Sequence, residues 1–144
     1  MRRAIAIVFA MLAVLATGCG SERSKGADPL VSYQRSGGIA GVNERLVIDP
    51  EGETQLAVGE PDPDAQRFEI GDPALERLRS DLAAADFAAI DRDSGLGCAD
   101  CFEYEISYDG VTASFNEAAE VPDSVREVTA QLGRIVEAHL PERP

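Results

Sequence analysis

An α+β domain, with an antiparallel β-sheet of about four to six strands and two or three α-helices packed on one face, is what this 144-residue sequence predicts. Three observations carry the prediction. Phe102 to Asn116 alternates apolar and polar residues around Asp109-Gly110, a favoured two-residue hairpin turn. Three shorter alternating runs lie between Leu30 and Val58, separated by glycine- and proline-bearing turns. Two other segments place apolar residues at helical spacing instead: Leu75, Leu78 and Leu82, then Val125, Val128, Leu132, Ile135 and Val136.

Taken in order, Leu30 to Arg35 reads as a strand with Val31 and Tyr33 on one side. Ser36-Gly37-Gly38-Ile39-Ala40-Gly41 is a glycine-rich turn. Val42 to Asp49 is a second strand, with Val42, Leu46 and Ile48 in phase. A turn at Asp49-Pro50-Glu51-Gly52 leads to a third strand, Thr54 to Val58. Two prolines within Glu60 to Asp64 exclude regular structure there, and Arg67 to Ile70 reads as a short fourth strand. Asp72 is the expected N-cap of the first helix, with Pro73 at its first position and an end near Ala85. Asp86 to Ile90 reads as one more helical turn, buried through Phe87 and Ile90. In the late hairpin, the turn sets Tyr108 opposite Val111, Ile106 opposite Ala113 and Tyr104 opposite Phe115. All six then share one face. Pro122-Asp123-Ser124 opens the last helix and Pro141 ends it.

The N-terminus has a different character. Arg2 and Arg3 precede thirteen apolar residues, Ala4 to Ala16, a length that suits a signal-peptide core and falls short of a membrane span. The run ends in Ala16-Thr17-Gly18-Cys19, which resembles the lipobox of bacterial lipoproteins. That resemblance implies a signal peptide over residues 1–18, cleavage before Cys19, and acyl chains on Cys19 that hold the protein at the extracytoplasmic face of a lipid membrane. Gly20 to Pro29 reads as a flexible tether with a reach on the order of 35 Å. Residues 30–144 then form the domain.

Compartment and charge narrow the chemistry. Cys98-Ala99-Asp100-Cys101 lies outside the cytoplasm on this reading, where a disulfide between Cys98 and Cys101 is the expected state. A thioredoxin-type redox pair is the competing reading. Such pairs sit at a helix N-terminus, whereas this one leads into a strand at Phe102. The chain carries 26 acidic and 13 basic residues, a net charge of −13, which argues against nucleic acid as a partner. His139 is the one histidine, so neither a serine–histidine device nor a zinc site is legible, and no enzyme or cofactor is expected. Asp62 with Asp64, and Asp91 with Asp93, lack the spacing of a calcium loop and read as solvated charge.

The domain resembles the emfourin family, proteinaceous inhibitors of protealysin and related thermolysin-like metalloproteases. Tyr33 to Gly41 carries the resemblance, with Ser36-Gly37-Gly38 and Ala40-Gly41 as its specific motif. The leucine-bearing helix, Ala84-Ala85-Asp86-Phe87, and the strand from Phe102 to Tyr108 are similar in kind. The lipobox, the stretch Pro50 to Gln66 and the cysteine pair lie outside the family pattern. The resemblance implies a protein-binding module that inhibits a thermolysin-like metalloprotease through Ser36, Gly37, Gly38, Ile39, Ala40 and Gly41, with Ile39 as an apolar anchor. Two alternatives stay open. The glycines serve only turn positions of positive φ, or the protein is a structural or interaction lipoprotein of the cell envelope without inhibitory activity.

Overall fold

The structure, a computed structural model, describes residues 28–59, 65–91 and 97–140. The expected signal peptide, Cys19 and most of the tether lie outside these residues, as do Asp62, Asp64, Asp93 and Pro141. The described chain is an α+β fold: a six-stranded antiparallel sheet with two α-helices. The strands are β1 (Val31–Gly37), β2 (Val42–Ile48), β3 (Glu53–Val58), β4 (Gln66–Glu69), β5 (Phe102–Tyr108) and β6 (Val111–Asn116). Helix α1 spans Asp72–Ala84 and α2 spans Asp123–Ala138, and a 3-10 turn covers Phe87–Ala89. The sheet order is β4-β3-β2-β1-β5-β6, so β1 lies between β2 and β5 near the middle.

One face of this sheet is apolar because alternation places Val31, Tyr33, Leu46, Ile48, Leu56, Ile106, Ala113 and Phe115 on the same side, all buried. Both helices seal that face. Leu75, Leu78 and Leu82 come from α1, and Val125, Val128, Leu132 and Val136 from α2. The opposite face carries Ser32, Gln34, Arg45, Gln55, Glu105 and Ser114, the polar half of the same alternation.

The late hairpin has the register its turn dictates: Tyr108 opposite Val111, Ile106 opposite Ala113, Tyr104 opposite Phe115. Asp109 takes φ 48° and Gly110 φ 76°, the two left-handed positions that this turn requires. Depth along the shared face is uneven, since Val111 remains 47% exposed at its outer corner while Ile106 is 1% exposed. Asp49 holds its own turn, accepting hydrogen bonds from the amides of Glu51 and Glu53, both at 2.9 Å.

Several boundaries differ from expectation. Asp72 is not an N-cap. Gly71 takes that position without a side-chain bond, and Asp72 is the first helical residue, where its charge still faces the positive helix end. Ser36 and Gly37 belong to β1, paired with Asn43 and Val42, so the turn shrinks to residues 38–41. Two ladders flank β1, and pairing on both sides draws those residues into the sheet. The fourth strand is Gln66–Glu69, and Ile70 instead turns its side chain into the core. Phe87 is only half-buried, against Tyr108, whereas Ile90 is buried as expected.

Candidate partner-binding site

The β1–β2 hairpin ends in Gly38-Ile39-Ala40-Gly41. Gly37, Gly38 and Gly41 have φ of 92°, 68° and 62°, in the region that side chains with a Cβ avoid. The Gly41 amide donates to the Gly38 carbonyl at 3.1 Å and closes the turn. Ile39 stands at the tip, 92% exposed. The tip thus leaves one branched aliphatic side chain in solvent among small residues.

The glycines answer two separate demands. At Gly41 nothing lies within 4 Å of where a Cβ would sit, so only the backbone angle calls for glycine. A Cβ on Gly37 would meet the Cys101 carbonyl oxygen at 2.8 Å, and one on Gly38 would meet the Phe102 ring at 2.7 Å. Here a neighbouring segment approaches too closely for a side chain. That segment is brought in by the β1–β5 ladder, which sets Gly37 opposite Phe102. The Gly38 amide donates to the Cys101 carbonyl at 3.2 Å.

Cys98 and Cys101 are joined by a disulfide with their α-carbons 5.6 Å apart. Strand β5 starts at the next residue, so among the described residues the pair leads into a strand, whereas activated redox pairs sit at a helix N-terminus. Replacing both cysteines with Ser is expected to lower stability by about 2 kcal/mol, the chain-entropy value for so short a loop. Urea titration of the variant against the unaltered protein measures this. Two free thiols in the denatured, natively purified protein would show that the bond is absent in the cell.

Below the tip, on the helix-bearing face, Arg35 and Glu44 pair across β1 and β2. Arg35 Nε donates to Glu44 Oε2 at 2.8 Å and its Nη2 to Oε1 at 3.1 Å, a bidentate contact. Their side chains are 17% and 5% exposed. The Phe102 ring lies 5.2 Å from the guanidinium carbon, and Glu137 of α2 approaches to 3.9 Å. The hydrogen bond to Glu44 holds the Arg35 guanidinium above its ordinary range. Beside it, burial pushes the Tyr33 phenol well above its usual value, leaving it a neutral hydroxyl at physiological pH. Burial, reinforced by Glu117, also raises the Tyr104 phenol. Tyr33, Arg35, Tyr104, Glu117 and Glu137 line a groove of about 390 Å³ between α2 and the sheet.

Sequence reasoning missed the Arg35–Glu44 pair, although a signal for it existed. Arg35 is in phase with Val31 and Tyr33, and Glu44 with Leu46 and Ile48, so opposite charges occupied the apolar phase of adjoining strands. Closing the hairpin with Gly37 opposite Val42 would have set the two side by side.

The remaining candidate residues do not converge. His139 is the C-cap residue of α2, with Nδ1 2.9 Å from the Ile135 carbonyl oxygen and its ring stacked on Phe68 at 3.6 Å. Asp91 already has an interaction partner. Among the described residues no group of three or more His, Cys, Asp or Glu side chains is placed to hold a metal ion. No helix of the described residues is long and apolar enough to cross a membrane. No protein-family model matches the chain, and no curated protein does.

Proposed function

We propose that this protein is a lipid-anchored protein-binding module whose β1–β2 tip enters the active-site cleft of a thermolysin-like metalloprotease and blocks it. The observation that supports this reading is Ile39, 92% exposed on a turn whose backbone is closed by its own hydrogen bond. A tip of glycine and alanine around one aliphatic residue is narrow enough for a cleft, and Ile39 fills an apolar subsite there. Left-handed angles at Gly38 and Gly41 keep the turn out of the extended form in which a protease aligns a peptide bond for cleavage. A pre-shaped turn also loses less conformational freedom on binding than a loose loop.

Inhibition of thermolysin by the full chain tests the proposal. Ile39→Asp is expected to weaken inhibition at least about tenfold. The variant gives up burial worth on the order of 1.5–3 kcal/mol, adds a desolvation penalty, and each 1.4 kcal/mol is a factor of ten. Its melting temperature should barely move, because an exposed turn residue contributes little to the core. Equal inhibition by both proteins would place the contact elsewhere. A wild-type chain that leaves thermolysin fully active would remove the inhibitor reading for that protease and favour a partner within the cell envelope.

The anchor belongs to the same proposal. Cys19 carries the acyl chains that keep the inhibitor at the extracytoplasmic membrane surface, where two chains hold stably and one does so marginally. Cys19→Ser is expected to abolish acylation, so that any processed variant moves from the membrane to the soluble fraction of lysed cells. A processed variant that still sediments with membranes would refute lipid anchoring at this residue.

A further inference from the structure

The tip does not hold its shape alone. Its first amide, on Gly38, is bonded outside the hairpin to the Cys101 carbonyl at 3.2 Å. Gly37 and Gly38 have given up their side chains where the Cys101 backbone and the Phe102 ring press against them. Cys101 is in turn tied to Cys98, so the segment touching the tip is a closed loop of four residues. The Arg35 guanidinium, itself fixed on Glu44, lies over the Phe102 ring at 5.2 Å. The β1–β5 ladder delivers all of this to one end of the sheet.

We infer that the partner-facing surface is built from two segments, the tip at residues 38–41 and the disulfide-closed loop at 98–101, and that Cys98 and Cys101 are positioning residues that keep the tip in its binding shape. This rests on the reading of the tip as the inhibitory contact. Four residues with three glycines at or beside them would otherwise sample many backbone states, and binding would have to select one. The cross-link limits the motion of the Cys101 carbonyl, and that carbonyl limits Gly38. Ala99 and Asp100, both exposed on the loop, extend the surface beside the tip. The partner that fits is therefore a cleft with room for two adjoining turns, an apolar subsite for Ile39 and a rim that tolerates the Asp100 carboxylate.

Amide hydrogen exchange and thermolysin inhibition, measured on the full chain with and without Cys98→Ser/Cys101→Ser, test this. In the double variant, exchange at Gly38 and Gly41 is expected to speed up at least tenfold while the Leu132 amide keeps its protection relative to the other core amides. Inhibition is expected to weaken at least tenfold, mainly through faster dissociation. Gly38 exchange within twofold of wild type would overturn the inference even if inhibition fell. Faster exchange with unchanged inhibition would overturn it as well, since the held shape would then contribute nothing to binding. A wild-type protein that fails to inhibit refutes the inhibitor reading instead, and the Gly38 exchange rate still decides whether the loop holds the tip. Should the double variant not fold, Gly38→Ala is the second probe. A methyl group against the Phe102 ring is expected to part the tip from the loop and raise Gly41 exchange similarly, and unchanged exchange there would overturn the inference.

Discussion

Replacing Arg35 with Met is expected to lower the stability of the domain by about 3–5 kcal/mol, the range for removing one partner of a buried ion pair. The cost arises at Glu44. Its side chain is 5% exposed and receives both bonds of the Arg35 fork, so the variant leaves a carboxylate with little water and no matching cation. Glu137 makes matters worse, because it already approaches Arg35 to 3.9 Å and would then face Glu44 without a charge between them. The double replacement Arg35→Met/Glu44→Leu is expected to recover most of the loss, since apolar side chains of similar volume need no compensation there. Chemical denaturation of the three proteins at neutral pH measures both quantities. A loss below 1 kcal/mol for Arg35→Met would show that Glu44 reaches solvent or another donor. A double variant no better than the single one would show that the contact of Arg35 with the Phe102 ring, rather than the charge of Glu44, is what matters.

Leu132→Ala should cost about 2–5 kcal/mol. Leu132 is fully buried at the centre of α2's apolar stripe, with Val128 and Val136 one turn away on either side. Truncation removes its transfer energy and leaves a void that a helix pinned against the sheet cannot collapse to fill. Small domains are commonly stable by only about 5–15 kcal/mol, so a loss of this size is a large share of the total. Val111→Ala provides the contrast. Val111 lies on the same sheet face but is 47% exposed, and its truncation should stay within about 0.5 kcal/mol. Similar melting temperatures for the two variants would mean that α2 does not seal this core.

How much of this could be read in advance depended on range. Tyr104, Ile106 and Tyr108 found their partners Phe115, Ala113 and Val111 from sequence, because Asp109-Gly110 sets the register two residues away and alternation then propagates it. The stripes of α1 and α2 were equally legible, since a helix repeats its face every three or four residues whatever it packs against. Local pattern also marked Gly37 to Gly41 as a turn. It left open why glycine stands at each position, and there the answer came from across the sheet: Gly41 serves a backbone angle alone, whereas Gly37 and Gly38 also make room for Cys101 and Phe102, some sixty residues away in the chain.

By itself, then, the sequence determined the α+β class, the inward and outward faces of most elements, and the turn that carries Ile39. Each of these follows from contacts within one helix or one hairpin, where spacing is enough. The strand order, with β1 between β2 and β5, came from packing of the whole chain, and with it the meeting of the tip with the disulfide loop and of Arg35 with Phe102. The β1–β5 pairing joins segments separated by three strands, a helix and a 3-10 turn, and no local propensity specifies it. It forms because one apolar sheet face has to be completed beneath two helices, and that requirement exists only once the whole chain has come together.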